Sequence, residues 1–167
     1  MSFWRKAGGS SFAENDAFSL LCASVVPLAP PAASCREEAR VDRANWLLCV
    51  DRLDEALAAL DSAMRRDPFP PTWAWEVRGS VLYRLKRYEE ALAAYRKVDT
   101  NYYWIPGFMA ACHGQLGQRP EAERALADFR STTLNMTIGT LAGLSPYVGP
   151  DWLAHLIDGL RKAGMPE

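Results

Sequence analysis

Histidine, glycine-rich loops and long apolar runs are what this chain has least of. Only His113 and His155 occur in 167 residues, and the four cysteines (Cys22, Cys35, Cys49, Cys112) form no Cys-x-x-Cys pair. Zinc sites take thiolates and imidazoles at short, clustered spacing, so no metal is expected. Gly8-Gly9 stands in a serine-rich start with no Gly-Lys-Ser/Thr behind it, and no Gly-x-Ser-x-Gly occurs. The phosphate-cradling loop and the hydrolase elbow are therefore missing. No apolar run approaches the roughly 20 residues that span a bilayer. An excess of one charge is missing too: 19 basic residues meet 20 acidic ones, a net charge of -1. A non-specific nucleic-acid surface needs a basic excess and is not expected. Nothing in these patterns calls for a cofactor.

What is present is the composition of a globular domain, 49% hydrophobic and 23% charged. The length suits one domain that buries about 70% of its extended surface. Cys49 and Cys112 fall within helical apolar patterns, where reduced, buried cysteine is common. All four cysteines are read as reduced. Cys112 and His113 are neighbours on a helical pattern, about 100° apart, so they do not face one another. His113 is read as an interior residue, Glu55, Glu89 and Glu90 as surface carboxylates, and His155 as the polar face of the last helix. No catalytic constellation emerges, and the chain is read as non-enzymatic.

Internal repetition organises the rest. Trp75, Gly79, Leu82, Tyr83, Tyr88, Ala91 and Tyr95 follow one another at fixed offsets. One period back, Leu53-Asp54-Glu55-Ala56 and Leu60 repeat Tyr88-Glu89-Glu90-Ala91 and Tyr95, closed by Asp67-Pro68. One period forward, Gly117, Glu121-Ala122 and Leu126 repeat it again. The pattern resembles the tetratricopeptide repeat, a helix-turn-helix unit of about 34 residues, with Arg78 where that family usually has leucine. The resemblance implies an all-α solenoid of about three repeats. Its structural positions are Ala56, Pro68, Trp75, Gly79, Ala91, Tyr95, Gly117 and Ala122, small where helices cross and large between units.

Helix pairs are expected at Glu37–Cys49 with Leu53–Arg65, Thr72–Leu85 with Tyr88–Lys97, and Pro106–Leu116 with Pro120–Phe129. Ser131–Leu144 is apolar with scattered hydroxyls and is left unassigned. After Gly149-Pro150-Asp151, the spacing of Leu153, Leu156, Ile157 and Leu160 predicts a helix that ends at Gly164, a C-terminal cap for the stack. The organisation is then a poorly defined segment 1–36, repeats over 37–130, and a connector and cap over 131–167.

The N-terminal segment has two readings. Arg5-Lys6, an apolar stretch Ala17–Ala29, and Ala32-Ala33-Ser34 before Cys35 resemble a bacterial lipoprotein signal, which would lipidate and export the protein. Glu14, Asp16, Pro27, Pro30 and Pro31 interrupt that pattern. The favoured reading is a cytoplasmic protein in which Glu14–Val26 is an amphipathic helix from a degenerate repeat, followed by a proline-rich turn.

Arg66-Asp67-Pro68-Phe69-Pro70-Pro71-x-Trp73, with the ending from Pro146 to Pro166, also resembles the tetratricopeptide region that follows bacterial class III adenylate/guanylate cyclase domains. Nothing ahead of Glu37 could hold a cyclase domain, so the implied object is a stand-alone or truncated regulatory module. Tetratricopeptide arrays bind protein or peptide partners on a concave face. By that register the face holds Asn45, Trp73, Glu76, Ser80, Tyr83, Arg84, Trp104 and Gln115. Val41 and Glu76 stand where a carboxylate clamp wants lysine or another polar group, so an apolar or mixed peptide or helix fits better. Self-association through Asn101–Ile105 and a small-ligand pocket beside Ser131–Leu144 are the competing expectations.

Overall fold

The computed structural model describes residues 35–67, 69–98, 102, 104–133, 136–142 and 150–167, with side chains from Val41 onward save that of Pro150. They form α-helices with no strand among the described residues: α1 Cys35–Cys49, α2 Leu53–Met64, α3 Thr72–Arg84, α4 Tyr88–Tyr95, α5 Ile105–Gln115, α6 Arg119–Thr132, α7 Ile138–Ala142 and α8 Pro150–Lys162. The lipoprotein reading and the Glu14–Val26 helix lie outside the described residues, as does Pro68.

Local chemistry accounts for the helix starts. Pro106 and Pro120 stand in the first turns of α5 and α6, where a missing N–H leaves no intrahelical bond unmade. Asp54 and Glu55 open α2, and Glu89 and Glu90 open α4, each pair beside the positive end of the helix dipole. Arg52 forks onto Glu55 and Arg87 onto Glu90 in the same geometry.

α1 packs on α2, α3 on α4 and α5 on α6; α2 meets α3, α4 meets α5, and α1 also touches α3. The three pairs turn in the same way. Asp51, Lys86 and Gly117 each adopt a left-handed backbone, with φ of 61°, 60° and 68°. In each turn that residue's N–H bonds back three residues and the next N–H bonds back five. The longer bonds are Arg52 N–H to Leu47 O, Arg87 N–H to Leu82 O and Gln118 N–H to His113 O, at 2.9, 2.9 and 3.0 Å. This double closure satisfies carbonyls that a helix end otherwise leaves open.

Two contiguous apolar clusters form the core. One joins Val41, Ala44 and Leu47 of α1 to Ala56 and Leu60 of α2 and Val77 and Val81 of α3. The larger runs from Leu82 through α4, α5 and α6 to Leu156, Leu160 and Met165. Gly79 lies against the Tyr95 ring, so that a methyl group there would overlap it, and Gly107 lies against the ring of Phe129.

Several boundaries differ from the sequence reading. α4 ends at Tyr95 rather than Lys97, because the chain tightens into i→i+3 bonds at Lys97 and Val98. α6 runs past Phe129 to Thr132, with the Ser131, Thr132 and Thr133 hydroxyls donating to the Asp128 or Phe129 carbonyls one turn back. The segment left unassigned contains α7, whose first residue, Ile138, donates its N–H to Pro166 O at 2.9 Å. Cys112 is buried, but Cys49 is a free, exposed thiol; it is the last residue of α1, where the chain turns away at Asp51.

Candidate functional site

The residues placed on the partner face by register fall into two groups. Tyr83, Arg84 and Gln115 are spent inside the molecule. Tyr83 is only 3% exposed; its hydroxyl donates to His155 O at 3.0 Å, and its ring stacks on the His155 imidazole at 4.7 Å. Burial pushes the Tyr83 phenol far above its usual range. Arg84 donates to Leu48 O and to the Asp51 carboxylate, both at 2.7 Å, and so closes the C-terminal end of α1. Gln115 donates to Asp158 Oδ2 at 3.0 Å and accepts from Lys162 Nζ at 2.9 Å.

For Arg84 the cause is the C-terminal end of α1; for Tyr83 and Gln115 it is α8, which packs along α5 and against α7 and reaches Tyr83 and Tyr88. Its approach is backbone to backbone. Gly159 sits 2.6 Å from Tyr83 Oη and 2.9 Å from Ala111 O, measured from where its Cβ would be, and a Cβ on Gly114 would meet the Gly159 carbonyl. His155 therefore does not form an open polar face. It is half-buried between Tyr83 and Tyr88, with Nε2 2.9 Å from Tyr88 Oη. Its imidazole pKa is lowered, chiefly by burial and then by the Lys86 charge.

Asn45, Trp73, Glu76, Ser80 and Trp104 make up the second group, and all are half-buried. Trp73 packs on the α1–α3 cluster. Trp104 Nε1 donates to Glu76 Oε1 at 2.9 Å. Burial outweighs that bond and raises the Glu76 pKa. Ser80 Oγ lies 3.4 Å from Tyr95 Oη. Of the stretch expected to self-associate, Asn101 and Tyr103 lie outside the described residues; Tyr102 and Trp104 meet edge to face at 5.0 Å.

His113 is buried, with Nδ1 2.6 Å from Gln118 Oε1, and burial drives the neighbouring Cys112 thiol well above its usual pKa. Among the described residues no cluster of His, Cys, Asp or Glu could hold a metal ion, and no helix is long and apolar enough to cross a membrane. A cleft of about 420 Å³ lies between α2, α3 and α4. Trp75 and Leu82 line it, Lys97 Nζ sits 3.9 Å over the Trp75 ring, and an Arg78–Asp61 ion pair stands at its wall.

Sequence reasoning missed two features. One is the Gly114–Gly159 crossing, whose signal was a glycine inside each of two helical patterns. The other is an exposed apolar pair at the C-terminal end of α1, Trp46 within the helix and Val50 just past it, 73% and 60% accessible and four residues apart. No family model matches the chain, and no curated protein matches it.

Proposed function

We propose that this chain is a tetratricopeptide-type helical-repeat module that binds a protein or peptide partner, as a scaffold or regulatory element and without catalysis of its own. The observation that carries the reading is the threefold turn. Asp51, Lys86 and Gly117 share one backbone conformation and one pair of closing hydrogen bonds, and they recur at the same spacing as Ala56, Ala91 and Ala122. Each of those alanines is fully buried, as helix crossings within stacked pairs require. The contact of Gly79 with Tyr95 supports the same register.

With Tyr83 and Gln115 covered by α8, the inner face available to a partner is that of the first two pairs. Asn45 and Trp73 sit there, beside the bonded Glu76–Trp104 pair. Aromatic side chains of this kind supply area and orientation in protein interfaces. A short helix or extended peptide with apolar anchors suits such a surface.

Photo-cross-linking from single positions of the full chain tests the reading. A cross-linker at Asn45 or Trp73 is expected to capture a defined protein in lysate that the same group at Asp54, exposed on α2, does not. Equal capture from all three positions, or none from the first two, would count against it. The cleft under Lys97 favours a second reading, a small flat ligand on Trp75. Thermal stabilisation by a metabolite, abolished in Trp75→Leu, would support that instead.

A further inference from the structure

The cleft between α2, α3 and α4 is lined by more positive charge than its own carboxylates neutralise. Its volume of about 420 Å³ falls in the range of small-molecule sites. Two carboxylates, Asp61 and Glu90, and three cations, Arg65, Arg78 and Lys97, line it. Both carboxylates are spent, Asp61 on Arg78 and Glu90 on the fork from Arg87. Arg78 is spent with them. Arg65 and Lys97 remain, and neither meets a carboxylate among the described residues.

The two free cations share the cleft with a flat wall. Arg65 stands just past the end of α2 and Lys97 two residues past the end of α4. Trp75, in the first turn of α3, packs on the larger core cluster and also lines the cleft. Lys97 Nζ lies 3.9 Å from the centre of its ring, a contact that holds the ammonium in place without neutralising it. Leu82 and Ala94, both buried, add apolar lining. Neither neighbouring unit carries an aromatic at the place of Trp75: Arg40 stands one period back and Pro106 one period forward. Stacking of the units therefore does not by itself demand an indole there.

We propose that this cleft binds a small planar anion, an aromatic ring system laid against Trp75 with its carboxylate or phosphate held by Lys97 and Arg65. A guanidinium takes either group through two parallel N–H donors, and the lysine adds a compact charge. A neutral ring would leave both cations unpaired, and an anion without a ring would leave the indole uncovered. Only a molecule with both features uses all three residues. The inference rests on the reading of this cleft as a ligand site and adds the charge of its ligand. It does not depend on the partner face at Asn45 and Trp73.

Titrations of the full chain, followed through the indole N–H resonances in a proton–nitrogen spectrum, test it with two pairs of probes. The anions are adenosine 5′-monophosphate and indole-3-acetate, and their neutral partners are adenosine and indole-3-acetamide. Trp75→Phe assigns the Trp75 resonance by removing it. At least one anion is expected to shift that resonance with a Kd below about 1 mM, and at least about tenfold more tightly than its neutral partner. Which anion does so separates a phosphate from a carboxylate. Arg65→Gln with Lys97→Gln should erase the preference; both residues are exposed, so the core stays intact. Equal binding of anion and neutral partner overturns the proposal and leaves the cleft as a site for a flat ligand. A preference that survives the loss of Arg65 and Lys97 overturns it too. No shift of Trp75 by any of the four probes overturns both the proposal and the ligand-site reading beneath it, while the partner-binding reading of the repeats stands.

Discussion

Gly114 and Gly159 meet with no side chain between them: the carbonyl oxygen of Gly159 occupies the space a Cβ on Gly114 would need. Two helices can approach this closely only where both lack a side chain. Interior glycine costs each helix about 1 kcal/mol relative to alanine, and here the crossing uses that cost. Gly159→Ala is expected to destabilise the protein by about 2–3 kcal/mol, since the new methyl group would press on Tyr83 and the Ala111 backbone and the helices cannot yield cheaply. A urea titration showing equal or higher stability would contradict the packing of α8 on α5.

Lys86→Gly should act the other way. Lys86 holds φ at 60°, which costs a residue with a Cβ about 1 kcal/mol, while the next turn solves the same problem with Gly117. Gains of up to about 1 kcal/mol are expected for Lys86→Gly and losses of similar size for Gly117→Ala. Thermal melts of the two variants check this, and a loss in the first would place Lys86 in some contact that outweighs the backbone.

His155 makes stability depend on pH. Its pKa is depressed in the folded chain, so between the folded and unfolded values the unfolded chain binds more protons and stability rises with pH. The contribution is fully present above the unfolded value of about 6.5 and is lost as pH falls below it. The groups around the ring are Tyr83, Tyr88, Lys86, Arg84, Lys162 and Asp158; three cations against one carboxylate oppose a charged imidazole. The melting temperature is expected to drop between pH 7 and 5, and His155→Gln should flatten that slope. An unchanged slope in the variant would remove His155 as the cause.

Glu76 titrates in the opposite sense. Its carboxyl is raised by burial and the folded chain holds the proton more tightly, so its contribution weakens as pH rises through the folded value. Glu76→Gln keeps an acceptor for Trp104 Nε1 while removing the buried charge. Stability at pH 8 is expected to hold or increase, with Trp104 fluorescence unchanged. A marked loss would mean that the charge itself is required.

The helices were legible because small and large residues recur at offsets that only paired helices explain: Ala56, Ala91 and Ala122 are all fully buried. The left-handed turns at Asp51 and Lys86 were not, because neither residue is glycine and the backbone cost leaves no mark in a side chain. Register alone points Tyr83 and Arg84 toward a partner, because it gives a side chain's direction but not what stands in front of it. In this chain α8 stands before Tyr83, and the end of α1 before Arg84. An amphipathic spacing such as Leu153, Leu156, Leu160 says that a face will be buried and is silent on which surface receives it.

The Tyr83–His155 bond joins positions 72 residues apart, in a molecule whose other helix contacts are mostly between neighbours. Arrays built from neighbour contacts alone can melt from one end, unit by unit. Here the last helix is fastened to the middle pair, so α5 and α6 cannot fray away while α3 and α4 remain intact unless that clasp opens first. Hydrogen exchange in α3 through α6 should then rise together, as one cooperative block, while α1 and α2 are free to open at a lower cost.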